Sequence, residues 1–183
     1  MDTASSPPGS PALGRIVSLV RGLCLVGVVM LLSVPVSVLV APDGVHPLGL
    51  ATQLGLHGAV PTVAARWRAA AVSLLPMAAG LFALWQLWRL FSLYQRGDVL
   101  SAGSVAVLGR FAWGVVGLAL AQVLGRALMS VALTLDNAPG QRVLSLSFGS
   151  DDFVLLLLGA VLVAVARVMV VAARAAEENR AFV

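Results

Sequence analysis

Residues 67–91 read WRAAAVSLLPMAAGLFALWQLWRLF. As a helix rising about 1.5 Å per residue, this stretch is longer than the roughly 30 Å hydrocarbon core of a bilayer. Its ends carry amphipathic rings: Trp67 lies between Arg66 and Arg68 at one end, and Trp85, Trp88, Phe91 and Tyr94 gather with Arg89 at the other. Rings of that kind settle at the two membrane–water interfaces. The segment therefore reads as a membrane span, with Pro76 expected to bend it.

Upstream, residues 41–65 (APDGVHPLGLATQLGLHGAVPTVAA) are too rich in Gly and Pro to span and read as a loop. Before them, residues 16–40 are almost uninterrupted Leu and Val, with Arg15 and Arg21 on the N-terminal side. That pattern resembles a signal peptide, but the apolar run from Leu23 to Ala41 is 19 residues long and Pro42 would follow the best cleavage site. An uncleaved first span with a kink at Pro35 is expected. Residues 1–14, rich in Pro, Ser and Gly, are expected to be a flexible tail.

Downstream, residues 94–104 (YQRGDVLSAGS) make a short connection in which Gly97 ends one helix and Asp98 or Ser101 caps the next. A connection this short makes the second and third helices antiparallel neighbours. The third span, 107–129, carries Gly117, Ala121 and Gly125 at i, i+4 and i+8, a spacing that lets another helix approach closely in lipid. Residues 134–152 form a second outer segment, where Leu144, Leu146 and Phe148 alternate with Val143, Ser145 and Ser147 in a strand period. The last span is 153–171, with Ala160 and Ala164 as a second small-residue stripe, and residues 172–183 continue as helix beyond the membrane. The expected fold is an all-α membrane protein: one four-span domain over 15–183, a transmembrane four-helix bundle with a small strand-like extracytoplasmic segment between helices three and four. The small-residue stripes serve packing within one chain or between chains, so a homo-oligomer stays open.

Composition agrees. Of 183 residues 60% are hydrophobic and 11% charged, and mean hydropathy is +0.98, which excludes a soluble globule. All twelve basic residues are Arg, which removes Schiff-base, P-loop and general-base lysines. They stand singly between apolar runs, not in a stripe, so no direct nucleic-acid contact is expected. The lone Cys24 rules out an intramolecular disulfide, a CxxC pair and a thiolate metal site. His46 and His57 with Asp43 fit no zinc spacing, and no Ser, His and Asp set shares one membrane depth. Neither cofactor nor metal is expected, and the chain reads as non-enzymatic.

With four spans both termini share a side. That side holds Arg15, Arg21, Arg89, Arg96, Arg110, Arg167, Arg174 and Arg180, against Arg66, Arg68, Arg126 and Arg142 opposite, which places the termini in the cytoplasm. No Asp or Glu lies inside any span, which disfavours a proton-coupled exporter, and Arg110, Arg126 and Arg167 are each near enough to a span end to snorkel. Gln122 and Arg126 share a face of the third helix; they can line an outward-facing polar pocket or make interhelical hydrogen bonds.

Two segments carry a family resemblance. Residues 91–115 (FSLYQRGDVLSAGSVAVLGRFAWGV), through Arg96, Gly97, Ser101, Leu108 and Arg110, and residues 172–183 (AARAAEENRAFV), through Glu177, Glu178, Asn179 and Val183, resemble the bacterial domain of unknown function 2975 family. The chain departs in having Asp98 and Val99 where an aromatic is usual a little further on, and in its bulkier first outer loop. The family has no established activity; the resemblance implies a small inner-membrane protein, and the placing of some members beside a helix-turn-helix regulator implies a sensory or regulatory partnership. The expected contact surface is Arg96, Asp98, Arg174, Glu177, Glu178 and Arg180. The alternative is a small permease or channel using the Gln122 and Arg126 face.

Overall fold

The structure, a computed structural model, describes residues 11–40, 62–96, 101–135, 144 and 146–181, with side chains described between 14 and 175. Among the described residues it contains four long helices: α1 (Pro11–Val40), α2 (Val63–Gln95), α3 (Ala102–Thr134) and α4 (Ser150–Ala181). All four are long and apolar enough to cross a membrane. Each extends past its expected span. α1 already begins at Pro11, inside the segment expected as tail, and α2 continues through Pro76 as α1 does through Pro35.

The starts of the helices follow from local chemistry. Thr62 caps α2 by accepting from the Ala65 N–H at 3.1 Å, and Ser101 caps α3 by accepting from the Ser104 N–H at 3.2 Å. Of the two residues expected to cap the third helix, Ser101 does so; Asp98 and Gly97 lie outside the described residues. α4 opens with Asp151 and Asp152 in its first turn, where negative charge suits the helix dipole. Hydroxyls within the helices donate back to carbonyls one turn earlier, Ser73 to Ala70, Ser130 to Ala127 and Thr134 to Ser130. No buried hydroxyl of these three is therefore left bare against lipid.

The strand-like segment is a correction. Among the described residues there is no strand: Leu144 and residues 146–149 are irregular chain leading into α4. Their alternation does not suffice, because a strand without a paired neighbour leaves its backbone groups unsatisfied.

Among the described residues the helices pack in chain order. α1 packs on α2, α2 on α3, and α3 on α4, with no other pair in contact. The two edge helices each bury a single line of residues seven apart. In α1 the line is Val17, Cys24 and Val38, with half-buried Leu31 in the same register; in α4 it is Asp152, Gly159, Ala166 and Ala173. A seven-residue spacing keeps one seam turned toward one neighbour. The remaining faces of both helices present exposed Leu, Val and Phe, as a surface solvated by lipid tails should.

Candidate functional site

Among the described residues, three places in the fold hold chemistry: a polar clasp at each end of the helices, and a groove between them.

At the end carrying the α4 N-terminus, the Arg126 guanidinium pairs with the Asp152 carboxylate. Asp152 also accepts from the Gly149 N–H at 2.8 Å, and the carboxylate is almost fully buried. The same Arg126 nitrogen approaches the Ser147 carbonyl at 3.5 Å. This corrects the expectation that Arg126 snorkels for want of an acid. Asp152 stands one residue before the span expected at 153 and so was counted with the outer segment, although α4 already includes it. The signal available was Asp151 and Asp152 just ahead of the apolar run, where acids suit the first turn of a helix. Gln122, one turn away, is half-buried and, among the described residues, makes no hydrogen bond with this pair.

At the other end, Arg21 of α1 donates to the Ser92 hydroxyl of α2 at 3.2 Å, and its guanidinium carbon lies 5.1 Å from the centroid of the Trp88 ring. Arg21 read as a simple flanking charge and Trp88 as part of an aromatic belt; together they clasp α1 to α2 by a cation–π contact. Gln86, one turn away, is buried with its Oε1 unpaired among the described residues.

Between α2, α3 and α4 runs a groove of about 730 Å³. α3 forms its floor, with Gly109, Gly117 and Ala121, while Phe82 of α2 and Val163 of α4 stand on either wall. Arg110 and Arg167 line it, and a smaller hollow of about 260 Å³, sharing Val105, Ala106 and Val170, carries the opening on to Arg174. Neither Gln122 nor Arg126 is among the lining residues, so the polar face considered for a permease does not border this space.

The small-residue stripe of α3 is divided by this arrangement. A methyl group on Gly125 would meet the Pro76 ring of α2 at 3.5 Å, an ordinary packing contact. A methyl on Gly117 would meet nothing within 4 Å, because Gly117 faces the groove and not a helix. Ala121 is buried and lines the groove. The close approaches to a neighbouring backbone are elsewhere. At Gly114 an added methyl would lie 3.4 Å from the Ala83 Cα, and at Gly159 it would lie 2.7 Å from a Val116 methyl and 3.2 Å from the Val116 backbone nitrogen. Ala160 and Ala164, expected as the packing stripe of the last span, are exposed; the seam is set one residue away, on Gly159.

Of the expected partner-contact residues, Arg96 and Arg174 are exposed at the end where α2 finishes and α4 emerges. Glu177, Glu178 and Arg180 lie on the α4 helix, their side chains outside the described residues, and Asp98, like His46, His57 and Asp43, lies outside them altogether.

A multi-pass α-helical membrane protein is the class these elements define. Its family follows from comparison: the model for Protein of unknown function (DUF2975) matches residues 57–183, and the chain belongs to that family. No curated protein and no solved structure matches. The match takes in α2, α3 and α4, and α1 stands before it.

Proposed function

We propose that the protein is a non-enzymatic, multi-pass protein of the bacterial inner membrane, with both termini in the cytoplasm, that acts as a sensory or regulatory element through its hinge and C-terminal tail. One observation carries the reading. α4 continues as a single helix to Ala181, ten residues past the expected membrane exit at Val171, which is about 15 Å of rigid projection. A helix that merely ended its crossing would have no need of this length. Along it stand Arg174, Glu177, Glu178 and Arg180, and Arg96 lies exposed at the end of α2 on the same side. Mixed charges on a rigid helix suit a polar protein surface better than a lipid one. The family resemblance supports a small helix-turn-helix regulator as the partner.

The test is a photoreactive group placed in cells at Arg96 or Glu178, with a control at Trp67 on the opposite membrane face. Capture of a helix-turn-helix protein at the first two positions alone is the expected result. Equal capture at all three, or none at good expression, would overturn it.

A further inference from the structure

The groove between α2, α3 and α4 is mostly apolar, yet it is lined by two arginines for which the described residues provide no partner. Arg110 and Arg167 are both exposed, one near the start of α3 and the other on the facing part of α4, so both stand toward the end where the C-terminus lies. From Arg110 to Ala121 the floor extends eleven residues along α3, about 16 Å, open at Gly109 and Gly117, with the exposed Trp113 ring bordering it between them. That length takes most of an extended fatty acyl chain.

We propose that this groove is a binding site for an anionic phospholipid from the leaflet on the C-terminal side, its phosphate held by Arg110 and Arg167 and one acyl chain laid along Gly109, Gly117 and Ala121. Charge decides the occupant. A guanidinium fork matches a phosphate with two parallel charge-assisted hydrogen bonds, and basic pockets between membrane helices at an interface are suited to such headgroups. A second copy of this chain offers no such match at this depth: the acids within the described spans, Asp151 and Asp152, stand at the opposite end of α4 from Arg167, and Asp152 already pairs with Arg126. Arg174, at the mouth of the adjoining hollow, extends the positive rim toward the headgroup region. The site goes beyond the regulatory reading and does not depend on it; lipid occupancy and protein capture fail separately.

The test is native mass spectrometry of the full chain in mild detergent, titrated with phosphatidylglycerol or phosphatidylcholine. Phosphatidylglycerol is expected to bind about tenfold more tightly, the equivalent of one or two charge-assisted hydrogen bonds. The double variant Arg110→Gln, Arg167→Gln loses that preference, while Arg89→Gln, an exposed arginine near the same end of α2 but not lining the groove, keeps it. Gly117→Leu supplies an independent blockade: an added Cβ there meets no atom, so the side chain enters the groove without displacing a helix, and lipid uptake falls at unchanged helicity. Equal uptake of the two lipids would overturn the proposal. So would an Arg89→Gln loss as large as that of the double variant, or a lipid-free dimer that Gly117→Leu dissociates.

Discussion

The two edge helices are held in opposite ways. α1 meets α2 through side chains: Leu31 lies over Gly80, Gly27 faces Leu84, and Arg21 reaches Trp88 and Ser92. α4 meets α3 through its backbone. Gly159 brings the two main chains together at Val116, Ala166 and Ala173 continue the seam, and the Arg126–Asp152 ion pair closes one end. Side chains can turn to a new rotamer when a neighbour grows, whereas a main chain can yield only by moving the whole helix. The α1 seam should therefore be forgiving and the α4 seam should not. The forgiving seam is also the one whose edge helix, α1, lies outside the family match, which begins at residue 57.

Substitution can break this contrast, and the expected effects fall in order. Gly159→Leu should be the most damaging, because even a methyl there would sit 2.7 Å from Val116 with backbone immediately behind it. A loss of about 3 kcal/mol, the upper range of overpacking, is expected in detergent unfolding, together with loss of a disulfide crosslink engineered between α3 and α4. Next comes Arg126→Gln, which leaves the buried Asp152 carboxylate with the Gly149 N–H alone. It should cost about 2 kcal/mol, less than a fully buried pair because Arg126 is partly exposed, and adding Asp152→Asn should return most of it in a double-mutant cycle.

Gly80→Ala gives the sharpest comparison with Gly159. Its methyl would also come within 3.0 Å of a neighbour, but that neighbour is the tip of Leu31, which can swing away. The expected change is under about 1 kcal/mol, since the better helix propensity of Ala offsets the adjustment. A drop as large as that at Gly159 would erase the distinction between the seams. Smallest, and of opposite sign, is Gly117→Ala: with no atom near the added methyl, the gain in helix propensity should raise stability by up to about 1 kcal/mol.

Gly117 also marks where sequence reasoning stops. Small residues at i, i+4 and i+8 say that a face can be approached closely, and at Gly125 the Pro76 ring does so. They do not say whether the space is filled, because that depends on where two other helices stand. The groove, with Arg110 and Arg167 at its opening, is a property of three helices and leaves no trace in any one of them. The spans were legible because each is long, apolar and bounded by Arg or aromatic residues. The α4 seam was legible too, as Asp152, Gly159, Ala166 and Ala173 at seven-residue steps, but Ala160 and Ala164 offered an equally small pair one residue out of phase. Only the position of α3 separates them. The Arg126 and Asp152 pair was missed for a simpler reason, in that the helix begins before the apolar run does.

Packing in strict chain order has a consequence for how the protein is made. Among the described residues, each helix after the first finds its predecessor as neighbour, and no contact waits on a helix synthesised two turns of the chain later. Such a molecule can assemble vectorially as it leaves the insertion machinery, hairpin by hairpin, with little loop-closure entropy at any step. α4 arrives last, and its arrival completes both the wall of the groove and the ion pair at the far end. A chain halted before residue 150 would thus stand as three assembled helices with Arg126 still lacking its carboxylate, a built-in mark by which unfinished copies differ from finished ones.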